Sequence, residues 1–198
     1  MVTLSRALPE PCATLVLFLT LTGLRIGEAC GLRWKHVNLT GRAVLVNAEM
    51  LPPLSIGVRE AFVMNRYQTL KPSAAGKRTI PLPEWLADRM RTLPRYRTTD
   101  AVFANLGGTA PLDQHNVARR VLKPTAEALG NAFMDGSKAW VSWHSFRHTW
   151  ATLSDQLGLS QTERMRLLGH SNASVTAGYT HPELEQMRTK LAKLPKVN

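Results

Sequence analysis

Cysteine is nearly missing from this 198-residue chain. Cys12 and Cys30 are the only two, too few for a disulfide framework, and the pattern fits a reducing, cytosolic compartment. Acidic residues are also scarce. Fourteen Asp and Glu face 25 Lys and Arg, for a formal charge of +11. The surplus is spread along the chain rather than gathered in a tail, which favours a polyanionic partner, nucleic acid before membrane. Long apolar runs are lacking too. The one candidate, Ala13 to Leu24, falls short of the roughly 20 residues a bilayer span requires. It has neither a basic leader nor a small-residue cleavage site, so it reads as a buried helix rather than a signal or membrane segment. Internal repeats, low-complexity tracts and a linker are absent. The chain has the length of a single domain with its own core.

The patterns that are present predict a mostly helical α+β fold with a small antiparallel sheet near the front. Pro11 to Leu21 reads as a helix ended by Gly23, and a short helix follows from Arg25 to Gly31. Arg42–Asn47, Ile56–Arg66 and Lys77–Leu82 carry the Val, Ile and Phe content of strands. Pro83 to Leu93 reads as a helix with proline in its first turn. Beyond Asp113 the chain looks helical almost to its end.

Two helices in that last part carry polar groups worth weighing. Phe146, Trp150, Leu153 and Leu157 form an apolar stripe at helical spacing, and Ser142 is placed to cap the helix start. His144 and Arg147, three apart, share a second face near that start, where free N–H groups favour phosphate. An ordinary surface His and Arg on an amphipathic helix fit the same pattern. His144 and His148 have the i, i+4 spacing of zinc ligands, yet Ser145 stands where a zinc-protease glutamate belongs and Arg147 would repel a cation. No metal is expected. Ser160-Gln-Thr-Glu163 matches a capping box, Gly169 is a stop, and His170 follows in a tight turn. Tyr179 belongs to the next helical stretch. The helix ending at Leu157 and the one opening at Ser160 also fit a helix-turn-helix, with Gln161, Thr162, Arg164 and Arg166 as base readers. Near the front, Arg25 follows Gly23, and Glu28 is placed to pair with it.

In order, Thr22-Gly-Leu-Arg-Ile-Gly-Glu28, Lys77-Arg-Thr-Ile-Pro-Leu82, His144-Ser-Phe-Arg-His148, Leu167-Leu-Gly-His-Ser171 and Gly178-Tyr-Thr-His181 resemble the motifs of the tyrosine recombinase catalytic domain, the phage integrase family. The resemblance covers nearly the whole chain. It implies the DNA breaking-rejoining enzyme fold and a catalytic set of Arg25, Lys71, His144, Arg147, His170 and Tyr179. Lys71 is chosen because it precedes the hairpin turn, and Lys77 is the alternative. In that reading Tyr179 attacks the scissile phosphate to form a 3′-phosphotyrosyl link, and His144 accepts its proton. Arg25 and Arg147 hold the non-bridging oxygens, and His170 adds a hydrogen bond. The lysine protonates the leaving 5′-oxygen. No cofactor is implied.

The partner implied is double-stranded DNA, in a nucleoid-associated cytoplasmic setting with no membrane. Residues 1–198 read as the catalytic domain, with the family's amino-terminal core-binding domain expected to be absent and full recombination in doubt for that reason. A last helix from Leu184 to Leu194 presents Leu184, Met187, Leu191 and Leu194 on one face. It either docks on its own core or, as the resemblance implies, packs on a neighbour within a homo-tetramer on DNA. Two rival functions remain at this point: a helix-turn-helix regulator without chemistry, and a type IB topoisomerase-like relaxing enzyme.

Overall fold

The computed structural model describes residues 1–46, 49–71, 76–135, 138–139, 141–169 and 181–193. Its centre is the apolar run noted above. After α1 (Val2–Ala7), α2 (Cys12–Thr22) is buried along its whole length. A helix apolar on every side has to be covered on every side. Thr20 and Thr22 are accommodated there because their hydroxyls donate back to the Val16 and Phe18 carbonyls at 2.8 and 2.7 Å. Gly23 ends α2 in the left-handed conformation at φ 65°, as its position predicts. Both cysteines are buried free thiols, and burial pushes Cys30 up to about 12.

The short helix α3 (Ile26–Cys30) opens at Arg25 and leads through a 3-10 turn, Trp34–His36, into the strands. These are β1 (Val37–Asn38), β2 (Val44–Val46), β3 (Glu49–Leu51), β4 (Ser55–Val58), β5 (Glu60–Val63), β6 (Arg66–Thr69) and β7 (Arg78–Pro81). β1, β4 and β7 form an antiparallel sheet in that order, with Ile56 opposite both Val37 and Ile80. β2–β3 and β5–β6 are separate hairpins.

The single strand expected over Ile56–Arg66 is therefore two. They part at Arg59, whose guanidinium pairs with Glu49 and donates to the carbonyls of Val58 and Arg78, so the chain leaves the sheet there. The strand β6 was not expected. Its hairpin turns on Met64-Asn65, both at positive φ (51° and 59°), a two-residue turn of the type usually signalled by Asn-Gly.

Helices dominate the remainder. They are α4 (Glu84–Arg91), α5 (Gln114–Val117), continued through a π-helical turn Ala118–Leu122 into α6 (Lys123–Ala128), α7 (Trp143–Gln156), α8 (Gln161–Leu168) and α9 (His181–Leu191). A small hairpin, β8 (Met134–Asp135) with β9 (Lys138–Ala139), interrupts them. α7 packs on α2 through Phe146 and Trp150, both fully buried, with Leu153 and Leu157 at the core's edge. The predicted capping box of α8 is present: Ser160 N–H donates to Glu163 at 2.6 Å, and Glu163 N–H to Ser160 Oγ at 3.2 Å.

α9 lies on its own chain. Leu184, Met187 and Leu191 are buried in the common core, Arg188 bonds the Pro53 carbonyl, and Lys190 pairs with Glu163 at 2.9 Å. Leu194 lies outside the described residues. Among the described residues, no helix is long and apolar enough to cross a membrane.

Candidate active site

The site forms where the C-terminal end of α2 meets the first turn of α7. Gly23 closes α2, and two residues later Arg25 opens α3 with its backbone extended and its side chain half exposed. Glu28 accepts the Arg25 N–H at 2.9 Å, which fixes the backbone at the arginine. From the other side, Ser142 opens α7, with its N–H donating to Ser145 Oγ at 3.1 Å. This leaves His144 exposed in the first turn and carries Arg147 inward. Trp143 anchors that turn by donating its indole N–H to the Gln114 carbonyl at 2.9 Å.

Arg25, His144 and Arg147 line one pocket of about 390 Å³ together with Leu24, Ile26 and Trp143. Arg25 and Arg147 are 122 residues apart in sequence, and the fold supplies their meeting. Arg147 is buried rather than on the surface. Its Nη1 donates to the Gly23 carbonyl at 2.6 Å and its Nη2 to the Leu168 carbonyl at 2.8 Å. Burial, and then the Arg25 guanidinium close by, bring Arg147 down to about 10, still fully charged at neutral pH. Two guanidinium groups on one pocket suit an oxyanion with two oxygens to hold, such as the two non-bridging oxygens of a phosphodiester.

The pairing expected between Arg25 and Glu28 is only a small part of what Glu28 does. The Arg25 side chain reaches it once, at 3.5 Å. The main partner is Arg78 on β7, whose two terminal nitrogens meet both carboxylate oxygens at 3.1 and 2.9 Å in a buried fork. Burial by itself raises the Glu28 carboxyl, but the hydrogen bonds and charge of Arg78 outweigh it and hold Glu28 below the ordinary range. The Arg78 Nε donates to the Leu167 carbonyl at 2.8 Å. The sequence carried one signal of this role: Arg78 shares a strand face with buried Ile80, and a charge at an inward register position needs a buried partner.

The other predicted residues are placed less directly. Lys71 and Lys77 are exposed and stand on either side of residues 72–75, which lie outside the described residues; neither lines the pocket. His170 and Tyr179 also lie outside the described residues. His170 directly follows Gly169, the left-handed residue that ends α8 at φ 66°, and Tyr179 stands two residues before α9. His144 and His148 meet edge to face at 4.5 Å, and no group of three metal-ligating side chains occurs among the described residues.

The helix-turn-helix reading fares poorly here. α7 and α8 do form a helix pair, but Arg164 is paired with Asp155 and Arg166 with Glu183, and the end of α8 is bound by Arg78 and Arg147.

The overall arrangement is that of tyrosine recombinase catalytic domains. The Tn1549 transposon integrase, solved in complex with a circular intermediate DNA, superposes with a TM-score of 0.62 at 18% identity, over 91% of this chain and 58% of that one. XerA recombinase superposes with a TM-score of 0.58 at 20% identity, over 94% and 61%. The phage integrase family matches residues 3–186, and the chain belongs to that family. Among curated relatives, tyrosine recombinase XerC of Anoxybacillus flavithermus is 26% identical over 93% of this chain and 54% of its own length. Tyrosine recombinase XerA of Thermococcus kodakarensis is 26% identical over 88% and 52%. The chain thus spans about half the length of these relatives.

Proposed function

We propose that residues 1–198 act as the catalytic domain of a site-specific DNA recombinase that breaks and rejoins double-stranded DNA without a cofactor. The observation that carries this reading is the convergence of Arg25, Arg147 and His144 on one pocket. The two arginines hold the non-bridging oxygens of the scissile phosphate, where negative charge grows in the transition state. Tyr179 attacks phosphorus through its phenolic oxygen, giving its proton to His144. The bond to the 5′-oxygen breaks, and that oxygen takes a proton from Lys71. His170 adds a hydrogen bond to the phosphate. The phosphotyrosyl ester keeps the energy of the broken bond, so a 5′-hydroxyl reverses the steps and reseals a strand. The partner is DNA in a nucleoid-associated, cytoplasmic setting, and the working assembly is a homo-tetramer on DNA. The basic surplus of the chain supports a DNA partner.

The test is a duplex nicked beside the scissile phosphate, which traps the covalent intermediate. The intact chain is expected to form a denaturation-resistant adduct, and Tyr179→Phe to bind the duplex but form none. An undiminished adduct with Tyr179→Phe would make another residue the nucleophile. DNA binding without any adduct from the intact chain would favour a regulator. Strand exchange between two duplexes separates a recombinase from a relaxing enzyme.

A further inference from the structure

Five described contacts close a ring around the pocket. Glu28 accepts the Arg25 N–H, Arg78 grips Glu28 and the Leu167 carbonyl, and Arg147 grips the Leu168 carbonyl and that of Gly23. Leu167 and Leu168 are neighbours, and Gly23 is two residues from Arg25, so the path returns to its start. We infer that Arg78 is a positioning residue that couples Arg25 to Arg147 across this ring and so sets the spacing of the two guanidinium groups. The inference rests on the proposed role of those arginines in holding phosphate.

The end of a helix makes this coupling possible. The last carbonyls of α8 have no intrahelical partner, and buried carbonyls need donors. Two arginines from opposite sides supply them, Arg78 from β7 and Arg147 from α7. Arg78 is suited to its place because a planar fork reaches the carboxylate and the carbonyl together. An ammonium keeps the charge but acts as a point and cannot span both. Arg78 is itself buried and remote from solvent, so it acts through Arg25 and Arg147 rather than on DNA.

The experiment measures the rate of adduct formation on saturating nicked duplex, per folded molecule, with the melting temperature and duplex affinity recorded beside it. Arg78→Lys is expected to fold with a lowered melting temperature, because one buried acceptor loses its donor, and to bind DNA with similar affinity, while adduct formation per folded molecule slows on the order of ten- to a hundredfold, the scale of a small misplacement of a catalytic group. In an Arg25→Ala background the same change should cost little more, because groups acting as one unit are not additive.

Should Arg78→Lys fail to fold, Glu28→Gln combined with Arg78→Gln removes both buried charges together and leaves none unpaired. That pair is expected to fold and to show the same slow rate and the same non-additivity. A folded Arg78→Lys chain, or double variant, that forms adduct at the wild-type rate overturns the inference alone. So do equal losses in the wild-type and Arg25→Ala backgrounds. A wild-type chain that forms no adduct overturns the catalytic reading, and the inference with it.

Discussion

Gly23 lies against the indole of Trp150 so closely that a Cβ on it would stand 2.0 Å from the ring's Cδ1. The same glycine is left-handed, ends α2, and offers its carbonyl to Arg147. Backbone freedom, close packing and the site geometry all meet at one position. Gly23→Ala should therefore lose about 2–5 kcal/mol, combining the left-handed cost with overpacking. Gly158 is an internal control. It too is left-handed, at φ 69°, but a Cβ there meets nothing within 4 Å. Gly158→Ala should cost only about 1–2 kcal/mol. Urea unfolding of both variants checks this, and equal losses would show that contact with Trp150 contributes nothing.

Glu28 and Arg78 give the fold a dependence on acid. The Glu28 carboxyl is held below its ordinary value, so its ionised form binds the folded state more strongly than the unfolded one. That stability is fully present above the ordinary carboxylate value of about 4.3 and is lost as pH falls through the lowered folded value. Removing one partner of a buried pair costs about 3–5 kcal/mol. Glu28→Gln should show a deficit of that order at neutral pH, shrinking toward zero in acid as the wild type protonates too. Unfolding free energies of the two proteins across a pH series test it, and a deficit that stays constant into acid would contradict the linkage.

Cleavage should persist in excess chelator. Arg25 and Arg147 already bring two positive charges to the pocket, and Arg147 stands beside the His144–His148 pair. A cation placed there would be repelled, and the arginines can stabilise the phosphate's charge themselves. The measurement is adduct yield with and without chelator. Loss of adduct, restored by added zinc or magnesium, would remove His144 from direct phosphate chemistry.

Local features of this chain were legible in its sequence where one residue type forces one geometry. Gly23 and Gly169 end helices, Ser160 and Glu163 cap one another, and the stripe from Phe146 to Leu157 faces the core. The turn at Met64-Asn65 was not legible, because Asn65 signals positive φ more weakly than glycine and Met64 not at all, and β6 was missed with it. The meeting of Arg25 with Arg147 was equally beyond local reading. It depends on α2 packing on α7, and only the resemblance to a family anticipated it. Arg78 was passed over because its partners, Glu28 and Leu167, lie 50 and 89 residues away.

The general acid separates two lysines that the fold treats differently. Lys77 directly precedes Arg78, which is fixed by Glu28 and the Leu167 carbonyl, and the Gly76 carbonyl beside it accepts from Arg78 at 3.1 Å. The backbone of Lys77 is thus tied at the edge of β7. Lys71 stands at the other end of the connection, just beyond β6, with its side chain exposed. On the proposed reading, the lysine that protonates the 5′-oxygen has to reach from the protein surface to bound DNA, and Lys71, which precedes the hairpin turn, is the one assigned to it. Lys71→Ala should slow cleavage about a hundredfold or more, within the range of lost general acid catalysis, and Lys77→Ala far less. Replacing the 5′-bridging oxygen with sulfur should restore the Lys71→Ala rate, because a thiolate leaves without a proton. The same substrate should do little for Arg25→Ala, whose defect on the proposed reading lies in binding the non-bridging oxygens. Sulfur rescue of Lys77→Ala, with none for Lys71→Ala, would transfer the role to Lys77. Rescue of neither would remove both lysines from proton transfer to the leaving group.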